Sequence, residues 1–332
     1  MKMKSFLPLK LMGTEQNLLR VLTYHRVAPV RDSDRFDPRL ISTDPATFRR
    51  QMQHLANHYR VVRMEEVLNA LERKVQLPKN AVLVTFDDAY FDLAEYAFPV
   101  LNQWQLPSTI FVPTSYPNQP ERVFWWDRLY RALMHTTHPV LHLSRLGELP
   151  LRISEERRKS LQIVNKYLLT LAATESAATL DEICDQLESK PLAYKSVLDW
   201  DELRALAKAG VTLAAHTRTH PLLTRVSPEQ ARAEIVGSRQ DLQREIGSAL
   251  PVFCYPNGHH NDTVVNILKQ AGFVAALTTL SGQNDLNTMD PLRLQRQAIY
   301  KKTSLPVFRL RLLRVGAYLD VWRLRKERRQ HL

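Results

Sequence analysis

Apolar and polar residues alternate along the chain in two patterns. One is a short, continuously apolar run rich in β-branched residues, which is typical of a buried strand. Such runs occupy residues 18–24, 81–86, 108–113, 211–216, 251–256 and 273–279. The other pattern places apolar residues at helical spacing, at residues 44–58, 64–74 and 200–209. Strands that alternate with helices predict an α/β fold built on a parallel sheet.

Local signals mark where two helices end or begin. Gly210 follows the helix at 200–209, and glycine readily adopts the left-handed conformation that ends helices. Residues 227–230, Ser-Pro-Glu-Gln, form a capping box with proline at the first helical position, so a further helix should begin there.

Residues 119–199 interrupt the alternation of strands and helices. The segment is predicted to be mostly helical, and its clearest helix is RRKSLQIVNKYLLTLAA at 157–173. The sequence has no internal repeat and no Gly/Ser-rich linker. The simplest division is therefore one domain over 15–300, with 119–199 as a helical insertion, and a basic tail over 301–332.

Composition indicates a soluble globular protein and excludes several classes. Of the 332 residues 44% are hydrophobic, and only 9 are Gly and 19 are Pro, which argues against a disordered or low-complexity chain. Cys184 and Cys254 form neither a disulfide framework nor the spacing of a zinc finger. Residues 301–332 carry +8 of the formal net charge of +12, so the rest of the chain is nearly balanced. We expect no nucleic-acid-binding core.

Both ends of the chain bear on its location. Within MKMKSFLPLKLMG, Pro8 and Lys10 interrupt the apolar run of a signal peptide, and no window approaches the roughly 20 apolar residues of a membrane span. We therefore expect a cytoplasmic protein. In the tail, apolar residues are interleaved with arginines. This pattern fits a basic amphipathic helix in peripheral contact with an anionic membrane, and equally a last helix that packs on the core.

Polar residues with metal-binding or proton-transfer chemistry follow three of the predicted strands. They are Asp87 and Asp88, His216 and His220, and the turn Tyr255-Pro256-Asn257-Gly258. The carboxyl ends of parallel strands face the ligand crevice in α/β folds, so these side chains should share one site. Taken singly, paired aspartates often cap a helix, and such turns are usually only turns.

Together, these residues indicate a hydrolytic metal site. His216 and His220, four residues apart, share a face if their segment turns helically, and they could then chelate a zinc-like ion. An aspartate would complete the ligand set while its neighbour handles a proton, and one coordination position would stay open for water.

The same residues resemble the motifs of the NodB-homology polysaccharide deacetylases, the family-four carbohydrate esterases. The similarity rests on TFDD at 85–88, on HTRTH at 216–220 followed by proline, and on the lead-in WDELRALAKAGVTLAAH, and it extends from about 19 to 300. The resemblance implies a distorted (β/α) barrel. It further implies a general base, three ligands for one divalent metal, expected to be zinc, and an oxyanion held by a backbone N–H near Asn257. The base would be Asp87 and the metal ligands Asp88, His216 and His220. We also expect Tyr255, Asn257 and Arg296 to bind substrate.

The expected general acid lies at the other end of the chain from its usual place. Most family members carry it in a C-terminal Leu-x-His motif, which this tail lacks. Instead, LTYHRV at 22–27 resembles the YH motif of the circularly permuted branch that acts on the exopolysaccharide poly-N-acetylglucosamine. His25 is therefore the expected acid. The alternative is a histidine that only satisfies a hydrogen bond at the strand end.

Three positions depart from the family pattern. Cys254 stands where the family has an arginine that orients the base, Asn257 replaces an aromatic residue, and Ala89 replaces the glycine that usually follows the paired aspartates. Arg296 could supply the missing cation from a neighbouring strand, or it could be a surface or structural arginine. Phe-Trp-Trp-Asp at 124–127 fits either core packing or a sugar-stacking platform.

The expected function is the metal-dependent removal of N-acetyl groups from an N-acetylated glycan or glycan precursor. One alternative is an O-acetyl esterase or another amidohydrolase at the same site. Another is a catalytically inactive, glycan-binding barrel, for which the altered third motif is the best support. Retention of all five residues proposed for base, acid and metal ligands favours an enzyme.

Overall fold

A computed structural model of the protein describes residues 17–29, 36–73, 75–189 and 194–313. Within these residues the strands are β1 (Leu18–Tyr24), β2 (Arg26–Val27), β3 (Ile41–Thr43), β4 (Arg60–Val61), β5 (Ala81–Asp87), β6 (Thr109–Val112), β7 (Val140–Leu143), β8 (Gly147–Pro150), β9 (Thr212–Ala215), β10 (Val252–Cys254), β11 (Ala275–Leu277), β12 (Asn284–Asp285) and β13 (Gln297–Ala298). The α-helices are α1 (Pro45–His58), α2 (Met64–Arg73), α3 (Phe98–Gln103), α4 (Trp125–Met134), α5 (Ser154–Leu168), α6 (Ala173–Gln186), α7 (Trp200–Lys208), α8 (Pro228–Ile246), α9 (Asp262–Gln270) and α10 (Leu305–Leu312).

The central sheet is a curled half-barrel with the strand order β11-β10-β9-β6-β5-β1-β12. Neighbours from β11 to β1 pair in parallel, β4 and β13 add parallel pairs at β5 and β1, and only β12 joins β1 antiparallel. All seven residues of β1 and of β5 are buried, as expected of parallel strands covered on both faces. The predicted α/β fold of the barrel type is confirmed.

Helix ends follow the signals in the sequence. The Ser227 side chain caps α8 by accepting a hydrogen bond from the Gln230 backbone N–H. The Gln230 side chain in turn accepts from the Ser227 backbone N–H. Asp199 and Glu202 form the same box at α7. Gly210, just after α7, has φ +93°, the left-handed value that the sequence predicted for a helix end.

The segment between β6 and β9 contains α4, α5 and α6, which enclose a hydrophobic cluster of their own. It also contains the antiparallel hairpin β7–β8, which the mostly helical prediction missed. Gly147, with φ +73°, begins the second strand of this hairpin. The helix expected at 157–173 ends at Leu168, and α6 begins at Ala173.

The described part of the basic tail packs on the main core. Phe308 and Leu312 of α10 are fully buried in it, and the Arg20 Nε donates to the Leu312 carbonyl at 2.6 Å. Residues 314–332, the rest of the segment for which membrane contact was predicted, lie outside the described residues. Among the described helices, none has the length and apolar character to cross a bilayer.

Candidate active site

One cleft of about 520 Å³ lies over the carboxyl ends of the central parallel strands. Because these strands are parallel and adjacent, residues that follow them are brought to the same edge of the sheet. The cleft is lined by seven of the eight residues that the sequence singled out, namely His25, Asp87, Asp88, His216, His220, Asn257 and Arg296.

Asp88, His216 and His220 form a compact group of donors whose ligand atoms lie within 4.8 Å of one another. The Asp88 Oδ1 is 3.5 Å from the His216 Nε2 and 3.3 Å from the His220 Nε2. The two imidazoles meet without the helical turn that the spacing suggested. Their segment is a loop in which Thr217 and His220 have left-handed φ values of 64° and 60°.

Hydrogen bonding orients the first histidine of the group. The His216 Nδ1 lies 2.7 Å from the Cys254 carbonyl oxygen, which can only accept, so Nδ1 is the donor. In the neutral imidazole this leaves the Nε2 lone pair facing Asp88. A histidine that ligates a metal through one nitrogen usually donates its other N–H to a carbonyl or carboxylate in this way.

The group fits a divalent metal. The buried Asp88 Oδ1 has no hydrogen-bond partner among the described residues, although it is nearly inaccessible to solvent. Two imidazole nitrogens and one carboxylate oxygen are a donor set typical of hydrolytic zinc sites. An overlapping group of Asp87, His216 and Cys254 fits less well, because burial raises the pKa of the Cys254 thiol and keeps it protonated.

The charges in this group also suit a cation. Burial opposes ionisation of Asp88, but His220 and His216 outweigh it and lower the pKa of the carboxyl. Burial lowers the pKa of His220 to about 4, so this imidazole is neutral near neutral pH. The pKa of His216 is raised despite burial, because the Cys254 carbonyl accepts from its Nδ1 and the carboxylates of Asp88 and Asp87 lie nearby. The surroundings of its Nε2 therefore favour positive charge.

Asp87 is held by a bidentate ion pair with Arg296. The Arg296 Nη1 and Nη2 donate to the Asp87 Oδ1 and Oδ2, each at 2.8 Å, and its Nε donates to the Thr278 carbonyl at 2.7 Å. Both side chains are buried. Burial alone would raise the pKa of Asp87, but Arg296 holds it well below its usual range. The carboxylate is therefore ionised and fixed in orientation.

This pairing corrects the prediction that Arg296 binds substrate. Its guanidinium is occupied by Asp87 and Thr278, so it positions the carboxylate. Cys254 lies directly beside the pair, with its Sγ 3.8 Å from both Asp87 oxygens. Arg296, just before β13, thus places a cation next to Cys254, which occupies the position where the family has an arginine. One of the two interpretations of Arg296 from the sequence predicted this.

Tyr255 requires a second correction, because it lies outside the cleft. Its ring is fully buried and its hydroxyl donates to the Leu292 carbonyl at 2.9 Å, so it supports the core below the site. Asn257 does line the cleft, in a turn where it has φ 55°. Gly258 follows with φ 71°, and a Cβ there would lie 2.1 Å from the Thr279 Oγ1, so the turn needs glycine.

His25 is half-buried and reaches the cleft from the end of β1. Its backbone N–H donates to the Ser42 Oγ at 2.9 Å, which fixes the main chain at this point. The imidazole is close enough to Asp87 and Asp88 to contribute to the lowering of both carboxyl pKa values.

Aromatic residues of the insertion line one wall of the cleft. The sequence had left open whether they pack in the core or stack on a sugar. Trp126 lines the cleft, with its ring centroid 4.9 Å from that of His220 at 70° between the planes. Its Nε1 donates to the Tyr90 hydroxyl at 2.8 Å, and that hydroxyl donates to the Asp127 Oδ2 at 2.7 Å. The aromatic cluster therefore packs against the barrel and faces the cleft at once.

The structure is thus a curled α/β half-barrel that holds a candidate metal site and a buried, arginine-held carboxylate at its strand ends. The sequence model of the family described as polysaccharide deacetylase matches residues 74–276. The chain belongs to the polysaccharide deacetylase family.

Three similar proteins illustrate the relationship. A putative polysaccharide deacetylase of Bacillus subtilis (strain 168), YxkH, is 23% identical over 93 residues, which are 28% of this chain and 33% of that protein. The Streptococcus pyogenes deacetylase PplD in complex with acetate superposes with a TM-score of 0.59 at 19% identity, covering 86% of this chain and 94% of that one. IcaB from Ammonifex degensii gives 0.55 at 18%, covering 91% and 97%. The chain thus matches only about a third of the curated relative, while the two solved structures share its fold over most of their length.

Proposed function

We propose that this protein is a metal-dependent N-deacetylase that acts on an N-acetylated glycan or glycan precursor. The observation that carries the proposal is the placement of an ionised, arginine-held carboxylate, Asp87, beside the donor group Asp88, His216 and His220. Membership of the polysaccharide deacetylase family and the likeness of LTYHRV to the poly-N-acetylglucosamine branch support it.

A divalent metal, for which we propose zinc, would be held by Asp88, His216 and His220. When bound there, it would polarise the acetamide carbonyl and make water more acidic. His220 is neutral near neutral pH, and the bond from the His216 Nδ1 to the Cys254 carbonyl leaves the His216 Nε2 facing Asp88, where a metal would replace the proton.

Asp87 is the proposed general base. It accepts a proton from the water that attacks the acetyl carbonyl carbon, so a C–O bond forms as the proton moves to the carboxylate. Arg296 keeps the carboxylate ionised before this step and fixes the direction of its oxygens. A backbone N–H in the turn at Asn257 is the proposed donor to the oxygen on which negative charge develops.

His25 is the proposed general acid. When the C–N bond breaks, the sugar nitrogen must leave as an amine, and this requires a proton that His25 would donate. The products are acetate and the free amino sugar. An amide nitrogen leaves only when it is protonated, so a histidine at this edge of the cleft would meet the requirement of an N-acetyl substrate.

The test is acetate release by the purified full chain from N-acetylglucosamine oligomers and from an O-acetylated glycan. We expect acetate from the N-acetylated oligomers with zinc present, loss of release after chelation, and recovery when zinc is restored. Asp87→Asn is the control for contaminating activity. Acetate from the O-acetylated glycan alone would replace the proposal with an esterase, and binding of oligomers without any release would indicate an inactive glycan-binding barrel.

A further inference from the structure

A second cavity of about 290 Å³ adjoins the active-site cleft. It lies between the helices of the insertion and the loop at 219–225, and we refer to it as the insertion pocket. Trp125, Leu169, His220 and Leu222 line both spaces. The two therefore meet at a candidate metal ligand, and a ligand in the insertion pocket would lie directly beside the reacting group.

The walls of the insertion pocket are mainly apolar. They comprise side chains of α4, α5, α6 and the segments that join them, including Val123, Leu168, Leu171, Ala177 and Leu180. Its volume is near the lower end of the range for ligand pockets, about 300–1,000 Å³. These apolar side chains accept hydrocarbon, and Tyr116, Ser176 and Thr219 add polar groups to the lining.

Three arginines, Arg122, Arg128 and Arg225, line the same pocket, and no Asp or Glu is among its lining residues. Arg128 pairs with Asp181 at 2.7 Å. Arg122 and Arg225 are exposed, and among the described residues neither forms an ion pair. The Arg122 guanidinium lies 4.7 Å from the Tyr116 ring centroid, which leaves its N–H groups free for an anion.

Apolar walls combined with unpaired guanidinium groups match an amphiphile whose head is an anion. Arginine binds phosphate through a planar fork of N–H donors, more tightly than it binds neutral groups. A free phosphate would leave the walls unused, and a neutral hydrocarbon would leave the arginines unused. A sugar attached to the phosphate would extend toward the residues shared with the cleft.

We infer that the insertion pocket binds the lipid-phosphate end of a lipid-phosphate-linked glycan and thereby holds its N-acetylated sugar in the active-site cleft. The inference rests on the proposed deacetylase function and names the substrate class for it. It assigns the insertion a role in substrate selection, beyond its packing on the barrel.

Binding is tested separately from catalysis with farnesyl phosphate, which has no acetyl group. In isothermal titration calorimetry with the zinc-loaded full chain, we expect it to bind about tenfold or more tightly than farnesol or inorganic phosphate. A tenfold ratio corresponds to about 1.4 kcal/mol, which one hydrogen bond to a charged group can supply. Equal affinity for farnesol, or for inorganic phosphate, would overturn the inference.

Two kinds of variant locate the site. Both Ala177 and Ala178 are exposed, but only Ala177 lines the pocket, so Ala177→Trp should abolish farnesyl phosphate binding whereas Ala178→Trp should not. Arg225→Gln, at an exposed side chain whose loss does not threaten folding, should weaken binding about tenfold. Unchanged affinity in Ala177→Trp, or in Arg225→Gln, would place the amphiphile elsewhere and refute the inference.

Turnover then separates the two proposals. We expect a higher kcat/KM for farnesyl-phosphate-linked N-acetylglucosamine than for methyl N-acetylglucosaminide, and loss of that advantage in Ala177→Trp. Equal kcat/KM for the two glycosides refutes the inference and leaves the deacetylase proposal standing. Absence of acetate from both, with specific farnesyl phosphate binding retained, refutes the proposed function and not the pocket.

Discussion

Replacement of Arg296 by methionine tests the ion pair that holds the proposed base. Methionine has a similar length but leaves the Asp87 carboxylate buried without its two hydrogen-bond donors. Removing one partner of a buried ion pair typically costs about 3–5 kcal/mol, because the other charge is left uncompensated. We expect a loss of that size in the free energy of unfolding of Arg296→Met.

A double-mutant cycle isolates the pair from the other contacts of Arg296. Asp87→Asn removes the charge on the carboxylate, and Arg296→Met with Asp87→Asn removes both charges. The Nε bond to Thr278 is lost in both methionine variants and therefore cancels. The free energies of unfolding are measured by urea denaturation of the chelated proteins at about pH 7. The loss in the double variant should be smaller than the sum of the two single losses, by at least about 2 kcal/mol.

The pH dependence has a definite sign. In the wild type the pKa of folded Asp87 lies below the unfolded value of about 3.9, so its ionisation stabilises the fold above that pH, and this contribution is lost as the pH falls toward the folded pKa. Arg296 lowers this pKa more than His216 and His25 do, so in Arg296→Met we expect burial to raise the pKa of Asp87 and the variant to regain stability as the carboxyl takes up a proton. The stability difference should narrow on acidification. Additive losses in the cycle, or a difference independent of pH, would refute this account of the pair.

Three further predictions concern single features of the site and the tail. His25→Ala should lower amide hydrolysis about 100-fold or more but nitrophenyl acetate hydrolysis much less, since that leaving group needs no proton; equal losses in steady-state assays would remove His25 from the acid role. Tyr255→Phe should lower the free energy of unfolding, measured by denaturation, by about 1 kcal/mol and leave KM unchanged, because the lost hydroxyl donates to the Leu292 carbonyl. A raised KM would instead show that Tyr255 binds substrate. A chain that ends at Leu313 keeps the buried Phe308 and should bind anionic liposomes less than the full chain in co-sedimentation; equal binding would exclude residues 314–332 as a membrane contact.

Local sequence pattern predicted the elements that position the site. The β1 strand begins and ends at the predicted residues, and α1, α2 and α7 each lie within one residue of the prediction at either end. These segments are buried on both faces or clearly amphipathic, so pattern and tertiary packing favour the same structure. The hairpin β7–β8 was missed because its short strands, packed against helices, carry no comparable pattern.

The contacts within the site were harder to predict than the residues that form it. Arg296 is 209 residues from Asp87 in sequence, and no local pattern shows that a guanidinium from that distance meets the carboxylate. The spacing of His216 and His220 suggested that a helical turn brings them together. In the structure their approach depends instead on left-handed backbone at Thr217 and His220. Tyr255 shares the strand-end position of the other site residues, but its ring turns into the core.

Zinc content per chain, measured after gel filtration in the wild type and in two variants, tests the central claim most directly. The division of roles between the adjacent aspartates predicts about one zinc per wild-type chain, the same content in Asp87→Asn without acetate release, and loss of zinc together with activity in His216→Ala. Equal loss of zinc in the two variants, or a wild-type chain that binds none, would contradict the assignment of Asp87 as base and of Asp88, His216 and His220 as ligands.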